Sequence, residues 1–474
     1  MTHSRRGGNR PRKRHDARSG QRSGPRASKV DPARRAAYDV LHEVGARDGY
    51  SNLVLRQVLA ERKLDERDAA FATELALGTL RHRGTLDAVL AACIDRPLAK
   101  IDPRVLDVLR LGAYQVLFLA TADHAAVSST VELAREVAGE GPSRFTNAVM
   151  RAVTRNQLPM WLDTLAPAGS VDSLALRTSH PSWIVSALRD ALGEDSAELP
   201  ALLDTNNEAP SVTLVARPDR CEVAELLTEL DTHAGRWSPY AVSLGHGRPG
   251  SIAAVREPRA GVQDEGSQLV VLAFLAVAVT GEDSRWLDLC AGPGGKAALL
   301  ADLAARRGAS LVAVEPREAR ARLVEKALAG SAATTRVVVA DGRNGPWSPE
   351  SFDRVLVDAP CSGLGVLRRR PESRWRRSPE DVADLAKLQR ELLLAAVAAV
   401  RPGGVIGYAT CSPHIAETDL VVDDVLARRN DLAEESAVAL LPEIPDTGQG
   451  PRLRLWPHRH GTDGMFLSIL RRTL

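Results

Sequence analysis

Apolar residues first fall into a helical rhythm at Asp31, where "DPARRAAYDVLHEV" sets Ala37, Leu41 and Val44 along one face behind an Asp cap and a proline at the first helical position. The same Asp-Pro start recurs in "IDPRVLDVLRLGAYQVLFL", where Val105, Leu109, Ala113, Val116 and Phe118 can supply a buried stripe. A last helix is predicted over "GPSRFTNAVMRAVTRN". Six or so short helices over 31–157 predict an all-α bundle. Residues 157–170, "QLPMWLDTLAPAGS", read as a connector. A helix ("SWIVSALRDALG") and strand-like runs such as "SVTLVA" then predict a small α+β linker domain over 171–259. From 260 to 474 the rhythm changes. "RWLDLC", "SLVAVE", "TRVVVAD", "FDRVLVDAP" and "GVIGYATC" alternate with helical stretches such as "KAALLADLAA", the pattern of a doubly wound, Rossmann-like parallel sheet. The predicted fold is therefore multidomain: all-α, then small α+β, then α/β.

Length agrees with that division, since 474 residues are too many for one ordinary core. The longest apolar run, "LVVLAFLAVAV", is too short to cross a bilayer, and no apolar segment follows the N-terminal arginines, so neither a membrane partner nor a secretory signal is expected. Cysteines stand at 93, 221, 290, 361 and 411, an odd number without close pairing. That suggests no disulfide framework and no metal site, and a reducing cytoplasm as the compartment. The whole chain carries net charge +2, but residues 1–29 hold ten Lys or Arg against one Asp, so the remainder carries −7. The Gly, Ser, Pro and Arg mixture of residues 1–30 predicts a disordered basic arm that attracts polyanions.

In doubly wound sheets, ligands sit beyond the carboxyl ends of the strands. "LDLCAGPGGKAALLADLA" offers strand, glycine-rich turn and helix start, a place where backbone amides can approach a ligand with no side chain between. It is neither the dinucleotide fingerprint nor a Walker loop. Glu315 ends the next strand, where a carboxylate can hold ribose hydroxyls, and Asp341 follows the third, within reach of an adenine amino group. In this order the three features fit S-adenosylmethionine better than NAD.

Cys361 and Cys411 both end strands that face this crevice. A thiolate there suits carbon methylation of a pyrimidine. Cytosine C5 is too weak a nucleophile to take a methyl group until a thiolate adds to C6, and a base must then remove the C5 proton. An ordinary thiol is only a few per cent ionised at neutral pH, so such a site should lower its pKa. Asp358 can hydrogen-bond the cytosine edge at N3 and the amino group. The target must be single-stranded or flipped, because stacking shields C6. "LRRRPESRWRRSPED" gathers six arginines around Trp375 and predicts an RNA-facing loop, with Arg368, Arg369, Arg370, Arg374 and Arg376 on phosphates and the indole on a base or in packing.

Two resemblances sharpen these expectations. "RRAAYDVL", "ERDAAFATELALGTLRHRGTLD", "DPRVLDVLRLGAYQVLFL" and "FTNAVMRAV" resemble the NusB-type RNA-binding domain, and Arg34 and Arg35 match the basic first-helix region through which that family is thought to meet RNA. "SHPSW" and "NNEAP" are similar to landmarks of bacterial RNA cytosine methyltransferases. The segments "QDEGSQ", "LDLCAGPGGK", "VVVADGR", "DRVLVDAPCSGLGVLRRRPESRW", "LLLAAVAAVRPGGVIGYATCS" and "GTDGMFLSIL" resemble the 16S ribosomal RNA cytosine-5 methyltransferases of the RsmB (Sun) type. That resemblance implies Cys411 as nucleophile and Cys361 as the thiol that helps release product. It also implies cofactor contacts from Cys290, Ala291, Gly292, Pro293, Gly294, Gly295, Lys296, Glu315, Asp341 and Asp358. The chain departs from the family pattern at Gly292, Thr418 and Met465.

The expected activity is S-adenosylmethionine-dependent methylation of cytosine C5 in small-subunit ribosomal RNA by a monomer. A transfer RNA or another ribosomal cytosine is an alternative substrate within the class. A non-catalytic RNA-binding factor is the alternative from another class, disfavoured by the intact PCS and TCS cysteines.

Overall fold

The computed structural model describes residues 30–473, apart from Asp48, Ala120, Leu230, His246 and Arg248. The basic arm expected over 1–30 lies, except for Val30, outside the described residues.

Seven helices are described between Pro32 and Val153: Pro32–Arg47, Ser51–Arg62, Glu66–Arg81, Arg83–Cys93, Pro103–Leu117, Asp123–Ala138 and Glu140–Val153. At both Asp-Pro starts the aspartate accepts a backbone amide, Arg34 N to Asp31 and Arg104 N to Asp102, each at 2.9 Å. A side-chain acceptor there satisfies a donor that the helix itself cannot. Ala37, Leu41, Val44, Val105, Leu109 and Ala113 are buried in one core shared by all seven helices, with Val116 and Phe118 packed against it. The stretch 157–170 is more than a connector. It holds the helix Leu158–Leu165, with a proline in its first turn, and Trp161 enters the helical core and donates its indole N–H to the Val153 carbonyl at 3.1 Å.

Three further helices, Val171–Arg177, Ser182–Leu192 and Leu199–Thr205, lead into an antiparallel sheet of β1 (Val212–Ala216), β2 (Thr232–Ala234), β3 (Ala241–Leu244) and β4 (Ala260–Val262), ordered β2-β3-β1-β4. The C-terminal half then supplies β5 (Arg285–Asp288), β6 (Ser310–Val314), β7 (Thr335–Val338), β8 (Phe352–Asp358), β9 (Val400–Thr410), β10 (Leu432–Glu435), β11 (Leu453–Leu455) and β12 (Met465–Arg472). Their order is β10-β12-β9-β8-β5-β6-β7, with β11 paired to β12. The five strands from β9 to β7 run parallel, and β12 joins β9 antiparallel. β8 and β9 are buried almost end to end, as central parallel strands covered on both faces must be. The chain leaves β5 for β6 on one side and later returns to β8 on the other, which opens a crevice at the carboxyl ends of β5 and β8.

The arginine-rich stretch after Cys361 corrects the sequence reading. Arg374 is wholly buried, with Nη1 donating to the carbonyls of Arg81 (3.1 Å) and Ser179 (3.1 Å) and to Asn207 Oδ1 (2.6 Å), and Nη2 to the Asn206 carbonyl (2.6 Å). Arg376 donates to the carbonyls of Val44 (2.6 Å) and Gly49 (2.9 Å). Buried Glu372 accepts from the Ser51 amide (3.0 Å) and hydroxyl (2.6 Å), capping a helix that has no side-chain cap of its own. Arg368 donates to the Gly461 carbonyl (2.9 Å), and Arg369 pairs with Asp264 (2.7 Å) and Asp463 (3.0 Å). Trp375 lies against Gly84, where a Cβ would stand 2.5 Å from the ring. Arg368, Arg369, Arg374 and Arg376 therefore turn inward: Arg374, Arg376 and, through the Ser211 carbonyl at 3.1 Å, Arg369 join the catalytic half to the rest of the protein, Arg368 braces the catalytic half itself, and the indole is packing. Helix ends and turns leave carbonyls unpaired, and these arginines satisfy them. "SHPSW" and "NNEAP" meet at this junction, through Ser179, Asn206 and Asn207.

Candidate active site

β5 ends at Asp288, and the chain turns through Cys290, Ala291, Gly292, Pro293 and Gly294 into the helix Gly295–Arg306. The Leu289 amide bonds the Leu356 carbonyl and the Ala291 amide the Val314 carbonyl, both at 2.9 Å, so the turn is anchored to the strands on either side. Gly294 has φ +111°, and a Cβ there would stand 2.6 Å from Ala327 Cβ and 3.2 Å from Val324 Cα. Gly294→Ala is expected to destabilise the protein by roughly 2–4 kcal/mol, from left-handed strain and overpacking together. The lowered urea midpoint measures it. At Gly292 a Cβ would instead meet Glu315 Oε2, the end of a flexible side chain, so Gly292→Ala is expected to be absorbed by rotation of Glu315.

Glu315 follows β6 and is buried, accepting from the Arg317 amide at 3.0 Å and facing Arg320 at 3.4 Å. Asp341, just past β7, is gripped by Arg343 at 2.6 and 3.0 Å. Asp358 ends β8 and pairs with Lys296 at 3.0 Å, while Lys296 Nζ also donates to Ser267 at 3.2 Å. Strand ends β7, β6 and β8 thus line the crevice with carboxylates on either side of an open glycine turn. Such a row fits a ligand carrying hydroxyls, an amine and a cationic sulfur.

Sequence reasoning missed Asp288. It is fully buried, Oδ1 accepts the Cys290 amide at 3.3 Å, and Oδ2 has no hydrogen-bond partner among the described residues. Burial, and then the charge of Asp358, push its carboxyl up to about 7 from 3.8. The folded protein therefore keeps a proton that the unfolded chain loses between about pH 4 and 7. The stability this adds is complete below about pH 4 and disappears as pH rises through about 7. Asp288→Asn removes that dependence, so its urea midpoint is expected to rise relative to wild type from pH 5 to pH 8.

Cys361 follows β8 and Cys411 follows β9, neighbouring strands, and their sulfurs lie 3.3 Å apart. The hydrogen bond from Cys361 holds the Cys411 thiol below the ordinary cysteine range, with Lys296 and Arg370 acting in the same sense against burial and Asp358. Cys361 is pushed well above that range by its contact with Cys411, by burial and by Glu417. Burial raises Cys93, Cys221 and Cys290 as well. Of the five cysteines, Cys411 alone is lowered, so it is the member of the pair whose ionisation the site favours.

The helical-domain candidates face neighbours in their own domain: Arg34 donates to Gln115 at 2.8 Å, and Arg35 pairs with Glu136 at 2.6 Å and Asp39 at 3.1 Å. Arg370 stands 4.9 Å over the exposed Tyr50 ring, and its charge reaches Cys411. Met465 is buried in the core behind the site, and Thr418 is buried with its hydroxyl on the His414 carbonyl at 3.0 Å. Among the described residues no His, Cys, Asp or Glu group could hold a metal ion, and no helix is long and apolar enough to cross a membrane.

A family profile described as 16S rRNA methyltransferase RsmB/F matches residues 275–471, and that of the NusB family matches 31–155. A Mycobacterium tuberculosis protein provisionally named a methyltransferase is 51% identical, over 95% of this chain and 98% of its own. The probable ribosomal RNA small subunit methyltransferase B of Bacillus subtilis is 32% identical, over 94% and 99%. Ribosomal RNA small subunit methyltransferase B of Vibrio vulnificus is 31% identical, over 92% and 98%. In fold, the crystal structure of PH0851 superposes with TM-score 0.78 at 22% identity, over 94% of this chain and 99% of that one. NSun6 from Pyrococcus horikoshii, solved with SFG, gives 0.53 at 18%, over 62% and 98%. The chain belongs to the RsmB/F family of S-adenosylmethionine-dependent 16S rRNA methyltransferases, with a NusB-family domain preceding its Rossmann-like half.

Proposed function

We propose that this protein methylates C5 of a cytosine in small-subunit ribosomal RNA through a covalent bond between Cys411 and C6 of the base. The observation that carries this reading is the pair of sulfurs 3.3 Å apart, of which Cys411 alone is held below the ordinary thiol range. S-adenosylmethionine supplies an electrophilic methyl group. The turn from Cys290 to Lys296, with Glu315, Asp341 and Asp358, would hold it, a reading favoured by the fold shared with NSun6, which was solved with the S-adenosylmethionine analogue SFG.

The Cys411 thiolate adds to C6, and the C5=C6 electron pair moves to C5, which takes the methyl group. Asp358, steadied by Lys296, faces the N3 and amino edge of the base. A solvent base takes the C5 proton, and the C5–H bonding pair restores C5=C6 while the C6–S bond breaks and expels Cys411 as thiolate. The Cys361 thiol, donating to the Cys411 sulfur, stabilises that leaving thiolate and so promotes release.

The test is a small-subunit rRNA transcript carrying tritium at cytosine C5, with a tritiated transfer RNA in parallel. Stoichiometric tritium release from the rRNA, with 5-methylcytidine in the nuclease digest, is expected. Methyl incorporation without tritium release would overturn the C5 assignment, and release from the transfer RNA alone would overturn the substrate.

A further inference from the structure

Each of the two cysteines is followed by a serine, and the serines meet on the far side of the loops. Glu417, fully buried, takes four hydrogen bonds there. Its Oε1 accepts from the Ser362 amide at 2.7 Å and Gln389 Nε2 at 3.1 Å, and its Oε2 accepts from the hydroxyls of Ser362 and, at 2.6 Å, of Ser412. The hydroxyls also touch each other at 3.0 Å, and Gln389 Nε2 donates to the Pro360 carbonyl at 2.8 Å. Tyr408, on β9, donates its hydroxyl to the Glu417 carbonyl at 2.7 Å.

A carboxylate has about four acceptor positions, and neutral donors fill all of them here. Among the described residues no arginine, lysine or histidine bonds this carboxylate. Burying a carboxylate without a cation is costly unless its hydrogen bonds are complete. An apolar residue would fill the same space without that cost, but it could not grip two loops at once. We propose that Glu417 is a positioning residue that clamps Ser362 and Ser412 and thereby sets the separation of the Cys361 and Cys411 sulfurs. The inference rests on the two-thiol reading above. The charge of Glu417 also opposes ionisation of Cys361.

Glu417→Gln keeps the shape but replaces one acceptor oxygen with a donor, which at the Oε1 position would face two N–H donors and at the Oε2 position requires both serine hydroxyls to turn round and give up their bonds to it. The first readout needs no RNA. Phenylarsine oxide condenses with two neighbouring thiols, forming two arsenic–sulfur bonds and releasing water. Wild type is expected to be captured, Cys411→Ala not, and Glu417→Gln at least about tenfold more weakly, with each cysteine still alkylated singly by iodoacetamide. The second is a kinetic split. A displacement of the thiols by about 1 Å is expected to lower kcat on the order of 100-fold while KM for S-adenosylmethionine stays within about threefold. Ser412→Ala removes a single hydroxyl from the clamp and gives the same test in milder form if Glu417→Gln does not fold. Wild-type arsenical capture and wild-type kcat in either folded variant would overturn the clamp. Weakened capture in a protein that transfers no methyl group to cytosine would support the clamp and overturn only the reading of the reaction.

Discussion

Cys411→Ala is expected to lower the rate of methyl transfer at least about 10⁴-fold, with S-adenosylmethionine affinity within about threefold of wild type. No other side chain in the crevice can take over. Cys361 lies only 3.3 Å away, but the Cys411 contact, burial and Glu417 all hold its proton in place, and removing Cys411 leaves the last two. Cys290 is surrounded by Asp288, Asp358, Glu315 and Asp341, whose charges add to burial in opposing a thiolate. Cys411→Ser should fare little better, because a serine hydroxyl remains protonated where the thiol ionises. Single-turnover rates with saturating cofactor, beside cofactor binding by calorimetry, separate lost chemistry from lost binding. A rate within tenfold of wild type in Cys411→Ala would remove this residue from the reaction.

Arg374→Ala is expected to destabilise the protein by about 3–5 kcal/mol, because it leaves several buried neutral acceptors without a donor at once, each costing about 1–3 kcal/mol. The carbonyls of Arg81, Ser179 and Asn206 and the side-chain oxygen of Asn207 would lose their donor together. Arg374→Lys should recover little of this, since a single ammonium cannot span acceptors arranged around a planar fork. The loss should appear in urea titrations as an early transition and as faster tryptic cleavage between the helical and catalytic halves. The same segment runs from the Cys361 loop to the helix Pro379–Ala399, which carries Gln389, so the damage should reach the catalytic rate as well. An unchanged midpoint would mean that the junction does not hold the domains together.

Helix starts and strand ends were legible in the sequence because their causes are local. An aspartate before a proline caps the next turn whatever lies elsewhere, and Asp31 and Asp102 do so. Alternating β and α segments likewise located the crevice, since Cys290, Glu315, Asp341, Cys361 and Cys411 follow strands and Asp358 ends one. The arginine loop misled because its acceptors are distant. Arg374 reaches partners 293, 195, 167 and 168 positions away, and nothing in "RRRPESRWRR" shows which carbonyls will need donors. Asp288 and Glu417 were missed for a related reason. A carboxylate in sequence looks like surface, and only the packed fold shows that one has an unpartnered oxygen and the other four donors. The repeated Cys-Ser dipeptide was the available signal for Glu417, because it placed two hydroxyls at the ends of adjacent strands.

Incubating wild type, Cys361→Ala and Cys411→Ala with S-adenosylmethionine and a small-subunit rRNA transcript, then running a denaturing gel, tests the covalent route. Cys361→Ala is expected to accumulate a protein–RNA band that wild type resolves, and Cys411→Ala to form none. A band that persists in Cys411→Ala, or its absence from Cys361→Ala while methyl transfer continues, would contradict the assignment of the thiolate to Cys411 and of release to Cys361.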